Sequence, residues 1–220
     1  MTLSRDQVQA YYNRFGKLQD TQAFYEDAAL DILIEHAAFD KAQAVFEFGC
    51  GTGRFAVRLL TSCLSPSATY TGIDLSETMV TIAQQRLSPY PDRARVIQSD
   101  GSIHYPIADQ SVDRVVSTYV IDLLSETDIQ KAISEAHRAL APDGKICLVS
   151  LSTGINFSSR MVCAIWNAVF NRRASLVGGC RPVQLATYLD ENSWSIDYHK
   201  IITQFAVPSE ILIAHPKEQQ

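Results

Sequence analysis

From Gln43 onward, apolar runs of strand length alternate with segments of helical period, and this alternation narrows the possible folds more than any other feature. The strand-like runs are Ala44–Phe48, Ala68–Ile73, Arg95–Ser99, Val112–Thr118 and Lys145–Leu151. Helical segments fall between them at Arg54–Cys63, at Glu77–Leu87, which Ser76 can cap, and at Glu126–Leu140, which Ser125 can cap. Pro142-Asp143-Gly144 reads as a turn into the fifth run. Such a pattern predicts a doubly wound α/β domain, a parallel sheet with helices on both faces and right-handed crossovers. The tail differs. Ser195–Phe205 and Ser209–Ala214 are separated only by Ala206, Val207 and Pro208, too short for a crossover helix, so they should pair antiparallel at a sheet edge. Residues 1–42 read as helical and residues 152–192 as a helical insert, containing an apolar helix at Phe157–Phe170. That leaves 43–151 as the core and 193–220 as a terminal hairpin.

With 220 residues, the chain fits one domain with a lid. Its 46% hydrophobic and 20% charged residues exclude a disordered chain. Nineteen basic and 24 acidic residues leave a net charge of −5, which argues against a nucleic-acid partner outside a narrow groove. Cys50, Cys63, Cys147, Cys163 and Cys180 are odd in number and lack zinc spacing, so reduced thiols and no metal are expected. Met1–Phe15 is too polar for a signal peptide, and Met161–Phe170 is far short of the ~20 residues a membrane span needs. A soluble protein kept in the cytoplasm, with no transmembrane segment, is the expectation.

The first strand runs into Glu47-Phe48-Gly49-Cys50-Gly51-Thr52-Gly53-Arg54. A glycine-rich turn between strand and helix lets a ligand approach the backbone closely. The phosphate-loop pattern GxxxxGK[ST] is missing. In a dinucleotide fingerprint counted from Gly49, the third small residue would fall at Arg54, which is large and charged. Glu47, near the strand end, would repel a pyrophosphate and suit an ammonium or a sulfonium. Asp74 ends the second strand, where it can accept bonds from ribose hydroxyls, and Asp100 ends the third, within reach of an adenine amino group. Carboxyl ends of neighbouring strands are where open α/β sheets bind ligands.

Val45–Ala56, Gly72–Ser76, Ser99-Asp100-Gly101 and Ser111-Val112-Asp113 resemble the successive motifs of class I S-adenosylmethionine-dependent methyltransferases. The likeness is closest to the small-molecule branch that includes the ubiquinone/menaquinone-biosynthesis type. It implies a Rossmann-like seven-stranded sheet of order 3-2-1-4-5-7-6 with the seventh strand antiparallel. It also implies S-adenosyl-L-methionine as cofactor, a small-molecule acceptor and methyl transfer by in-line displacement. By that resemblance Glu47, Gly49, Cys50, Gly51 and Gly53 hold the methionine part, with Cys50 as packing. Asp74 binds the ribose, Leu75 and Met79 line the adenine pocket, Asp100 and Gly101 meet the adenine edge, and Thr118 and Tyr119 face the sulfonium.

A general base is needed only if the acceptor must lose a proton. Candidates are Tyr119, Asp122 and His104, with none preferred; His137 reads as structural. Tyr11, Tyr12, Phe15 and Tyr25 are candidates for a lid or for packing on the sheet. The Phe157–Phe170 helix reads as buried, with a pocket cover or lipid contact as the alternative. Arg181, after Gly178-Gly179, can meet an anionic group on the acceptor. Two other readings compete: a nicotinamide-dependent oxidoreductase, against which Arg54 and Glu47 count, and a non-catalytic binding protein on the same fold. No Asn/Asp-Pro-Pro-aromatic motif follows the fourth strand, where Ser117-Thr118-Tyr119-Val120 stands.

Overall fold

A computed structural model describes residues 2–217. Two helices come first, α1 (Arg5–Phe15) and α2 (Ala23–His36), joined by tight helical turns over Gly16–Gln22. The core follows as β1 (Ala44–Phe48), α3 (Arg54–Ser62), β2 (Thr69–Asp74), α4 (Glu77–Leu87), β3 (Ala94–Gln98), β4 (Val112–Thr118), α5 (Glu126–Ala139) and β5 (Leu140–Leu151). After α6 (Phe157–Arg173), the chain ends in β6 (Trp194–Gln204) and β7 (Val207–Pro216). The seven strands form one sheet of order β3-β2-β1-β4-β5-β7-β6. β7 runs antiparallel to both β5 and β6, and the other neighbours are parallel.

Each central strand is buried on both faces, which explains its unbroken apolar run. Side chains alternate between two core clusters. Val45, Val116, Val149, Ile211 and Ile213 face α2, α3 and α4. Phe46, Val115, Leu148, Leu212 and Ala214 face α5 and the Leu185–Tyr188 turn. Ser76 and Ser125 do cap their helices, accepting bonds from the Met79 and Asp128 amides at 3.2 and 3.1 Å. The insert is anchored to β7 by the buried Glu210 carboxylate. It accepts from the Leu185 and Ala186 amides at 2.9 and 3.2 Å and from Ser152 Oγ at 3.2 Å.

Three local expectations are corrected. Pro142-Asp143-Gly144 is not a separate turn. The strand runs through it from Leu140, and β5 advances five residues (140 to 145) while β4 advances two (112 to 114), so the extra residues form a bulge. The terminal hairpin closes on two residues, since Gln204 pairs with Val207. Phe205 and Ala206 therefore take φ values of +48° and +63°, as a primed two-residue turn demands of both positions. Finally, α6 is not a buried helix. Only Ser159, Cys163 and Phe170 are buried, while Phe157, Met161 and Ile165 form an exposed stripe at four-residue spacing.

A left-handed conformation costs a residue with a Cβ roughly 1–2 kcal/mol, and Ala206 contributes no long side chain in return. Ala206→Gly should raise stability by about 0.5–1 kcal/mol, allowing for glycine's extra unfolded-state entropy. A denaturant midpoint at or below that of the parent would show that the turn is unstrained.

Candidate functional site

The turn after β1 is sewn to the end of β2. The Gly49 and Cys50 amides both donate to the Ile73 carbonyl, at 2.8 and 2.9 Å. The Gly51 amide donates to Asp74 Oδ2 at 2.9 Å, and the Ser76 amide donates to Oδ1 at 2.8 Å. Two glycines are required here for different reasons. A Cβ on Gly53 would come within 3.1 Å of Ala83 Cβ on α4, so this glycine allows the close helix contact. A Cβ on Gly51, at φ +52°, would meet no atom within 4 Å and would project into open space.

That open space is a cavity of about 200 Å³ at the carboxyl ends of β1, β2 and β4. Its floor is Glu47–Thr52 with Arg54, and one wall is Asp74, Leu75, Ser76 and Met79. Ser99, Gly101, Ser102 and Ile103 close one end, and Thr118, Tyr119 and Val120 the other. Every expected cofactor residue lines it except Gly53 and Asp100. Asp100 turns outward: its Oδ1 accepts from the Ser102 amide at 2.8 Å and from Ser102 Oγ at 2.6 Å. This local turn leaves the carboxylate in solvent, so Ser99, Gly101 and Ser102 border the cavity where Asp100 was expected.

The amino-terminal helix does border the cavity, through a face that carries Tyr12 but neither Tyr11 nor Phe15. Arg5, Val8, Gln9 and Tyr12 line it, at the three- and four-residue steps of a single helical face. Gln9 Nε2 donates to the Leu75 carbonyl at 3.1 Å, and Ser76 Oγ donates to Asn13 Oδ1 at 2.7 Å, docking α1 on the start of α4. Tyr11, Tyr12 and Tyr25 line a second cavity of about 210 Å³, with Gln22, Trp166, Leu176, Val177, Gly178 and Cys180. Phe15 lines neither cavity and stacks on Tyr11 at 5.5 Å. Arg181 lines neither: its Nη1 donates to the Asp122 carbonyl at 3.1 Å. His104 is 67% exposed and pairs with Glu135 at 2.9 Å, away from both cavities.

Two acids at the site carry no clear mark in the sequence. Asp20 accepts from Thr52 Oγ1 at 2.6 Å and from Arg86 Nη2 at 2.7 Å, pinning the linker between α1 and α2 over the glycine turn. Glu26 lines the first cavity, its Oε2 accepting from Arg54 Nη2 at 3.0 Å while its Oε1 is buried without a partner among the described residues. The one signal for Glu26 is a charged residue in register with Leu30 and Leu33, on the buried stripe of α2.

Carboxylates dominate the electrostatics. Glu47 is fully buried and receives one bond, from the Tyr70 hydroxyl at 2.5 Å; burial pushes its pKa up to about 7. Burial raises Asp74 to about 6 even with its backbone bonds. Glu26 and Asp122 are both pushed up to about 7, again by burial. Asp122 Oδ1 also lacks a partner among the described residues. Three buried carboxylates, Glu47, Glu26 and Asp122, beside the half-buried Asp74 favour a positively charged ligand. Burial also raises the Cys50 thiol and the Tyr119 phenol, so neither is ionised near neutral pH. Tyr119 sits at φ +56°, an uncommon conformation for an aromatic residue, and its hydroxyl meets Ser209 Oγ at 2.8 Å. No group of three or more His, Cys, Asp or Glu side chains is placed to hold a metal ion among the described residues. No helix among them is long and apolar enough to cross a membrane.

These acids set the sign of a pH effect. Asp122 keeps its proton in the folded state up to about pH 7 and loses it near pH 4 when unfolded. The folded state therefore binds more protons in that window, and stability falls as pH rises through it. Asp122→Asn should flatten the decline between about pH 4 and 7 and raise the melting temperature at about pH 8. An unchanged slope in thermal unfolding would show that Asp122 titrates normally.

Residues 45–144 match the family model described as a methyltransferase domain. The chain is 29% identical, over 80% of its length, to a malonyl-[acyl-carrier protein] O-methyltransferase of Erwinia pyrifoliae, covering 63% of that protein. It is 32% identical, over 58% of its length, to the ubiquinone/menaquinone biosynthesis C-methyltransferase UbiE of Dinoroseobacter shibae, covering 48% of it. The chain thus spans about half to two-thirds of the length of these relatives. Among solved structures it resembles the N-methyltransferase NodS of Bradyrhizobium japonicum in complex with S-adenosylhomocysteine. The TM-score is 0.65 at 19% identity, covering 88% of each chain, which is a likeness of fold. With the glycine turn, the strand-end acids and the sheet order all in place, residues 45–144 are similar to a methyltransferase domain, on the sheet order expected for the class I S-adenosylmethionine-dependent fold.

Proposed function

We propose that this protein transfers a methyl group from S-adenosylmethionine to a small-molecule acceptor. The carrying observation is the pair of bonds that orient Asp74. Its two oxygens are held by the Gly51 and Ser76 amides beside a cavity that a Cβ on Gly51 would enter. This leaves the carboxylate's remaining lone pairs for the two hydroxyls of a ribose. The residues present suit the cofactor in its charge as well as its shape. Buried carboxylates at Glu47 and Glu26 favour an ammonium and a sulfonium, and the two arginines among the described lining, Arg5 and Arg54, are paired with Asp128 and with Glu26 and Asp27.

In this reading Glu47 and the Gly49–Gly53 loop hold the methionine portion. Leu75 and Met79 pack on the adenine, with Gly101 at its edge, and Thr118 and Tyr119 border the reacting end. Arg5, Val8, Gln9 and Tyr12 cover the cofactor and exclude water. The bound sulfonium supplies an activated methyl group, so the protein's own work is alignment, which can lower a barrier by roughly 7–11 kcal/mol. An acceptor must lie opposite the sulfur for in-line displacement. Tyr119, neutral and tied to Ser209, orients and does not take protons. Glu26, which lines the cavity and has a raised pKa, is the group suited to accept one.

Calorimetry should show binding of S-adenosylmethionine and S-adenosylhomocysteine and none of NAD; micromolar NAD binding without a response to S-adenosylhomocysteine would overturn the reading. Asp74→Ala should weaken S-adenosylhomocysteine binding by roughly 1.5–3 kcal/mol for each charged bond lost, less what water restores. Parental affinity in that variant would move the ribose elsewhere. Gly51→Val should abolish binding, with circular dichroism close to the parent, because the new side chain fills the cavity and strains the turn.

A further inference from the structure

The second cavity has walls of unusual chemistry. Tyr11, Tyr12, Tyr25 and Trp166 supply four aromatic rings around about 210 Å³, with Cys180 beside them. The Trp166 indole N–H donates to the Cys180 carbonyl at 2.9 Å, which fixes that wall. Tyr12 borders both cavities, and Tyr25 meets Tyr119 of the first cavity edge-on at 5.8 Å. The aromatic chamber and the proposed methyl-donor cavity thus share a wall. Among the described residues no basic side chain lines the chamber, and Arg181, the nearby cation, is committed to the Asp122 carbonyl.

The ionisable groups behind the rings are acids, which a bound cation would favour in their charged form. Glu26 and Asp122 are 6% and 0% exposed, and each has one buried oxygen with no partner among the described residues. Both lie close enough to Tyr25 and Cys180 to raise their pKa values, and Asp122 does the same to Tyr12. A buried carboxyl oxygen without a partner is costly unless a ligand donor or cation meets it. Aromatic faces attract ammonium groups through their quadrupoles, and desolvation strengthens that attraction. Arg54 already answers one oxygen of Glu26, so a phenolic or aliphatic acceptor would leave the second oxygen of each acid unanswered, and an anionic acceptor would be repelled.

We propose that the chamber of Tyr11, Tyr12, Tyr25 and Trp166 binds an alkylammonium group, with Glu26 and Asp122 as its counter-charges, and that the acceptor is accordingly an amine. The second clause rests on the methyltransferase reading; the first does not. Transfer to such an acceptor balances. An ammonium first gives a proton to water, since neither carboxylate lines the chamber itself. The neutral nitrogen's lone pair then forms the bond to the methyl carbon, while the carbon–sulfur bond breaks and its electron pair stays on sulfur. The aromatic chamber then holds the methylated ammonium product.

Trp166 reports on the chamber directly, and Trp194, 5% exposed in the core, is the only other tryptophan. The experiment titrates the full-length protein, with and without saturating S-adenosylhomocysteine, with choline, its neutral isostere 3,3-dimethylbutan-1-ol, and the anion 3,3-dimethylbutanoate. Tryptophan emission is followed in the parent and in Trp166→Phe, whose loss of signal assigns the response. Choline should bind at least ten-fold more tightly than the neutral isostere, and the anion should give no response. Tyr11→Leu, outside the first cavity's lining, should weaken choline at least five-fold and leave S-adenosylhomocysteine affinity within two-fold, and Asp122→Asn should weaken choline at least five-fold. Equal or tighter binding of the neutral isostere, no response to choline up to solubility-limited concentrations, or choline affinity unmoved in both variants would overturn the proposal. If one variant fails to fold, the other and the ligand series still decide. Failure of S-adenosylhomocysteine to bind while choline binds would instead sink the methyltransferase reading and leave the ammonium site standing.

Discussion

The attachment of the glycine turn to the end of β2 underlies the rest of the site. Ile73's carbonyl collects two amides of the turn, and Asp74's carboxylate collects a third before reaching on to Ser76. One strand end therefore holds the loop between β1 and α3 and the start of α4 at once. A turn so constrained needs backbone freedom at Gly51 and a missing side chain at Gly53, where Ala83 of α4 packs against it. The cavity is the space left when these requirements are met. Asp20 and Gln9 then tie the amino-terminal segment across it.

The second theme is charge without water. Glu47, Asp74, Glu26 and Asp122 lie in or behind the two cavities with raised pKa values, and Glu26 and Asp122 keep oxygens unpartnered among the described residues. In an ordinary core such groups would be replaced by apolar ones at a gain in stability. Their retention beside open volume fits a protein that gives up some folding stability to prepare a site for cations. Perturbed acids concentrated in clefts are the usual mark of function, in contrast to the Arg138–Glu135–Asp109 network on the surface, where pairing lowers Glu135 to about 2.

Local periodicity was enough for the parallel core, the antiparallel hairpin and the capped helices, while the sheet order and the cofactor residues at the strand ends were what the resemblance to class I methyltransferases implied. Gly51 and Asp74 are legible because each sits at the carboxyl end of a strand, in a turn whose residue types announce it. Tertiary structure alone decided the rest. Asp100 left the cavity because a serine two residues on captured its carboxylate. Arg5, Val8 and Gln9 entered it because α1 docks on α4 through a polar face, whose spacing carries no apolar signal. The chamber joins Tyr11 and Tyr25 to Trp166, over a hundred residues away in sequence, with Glu26 behind it, and nothing local marks them as partners. Their common environment is a property of packing: only the assembled fold removes the water that keeps those acids and rings inconspicuous in the chain.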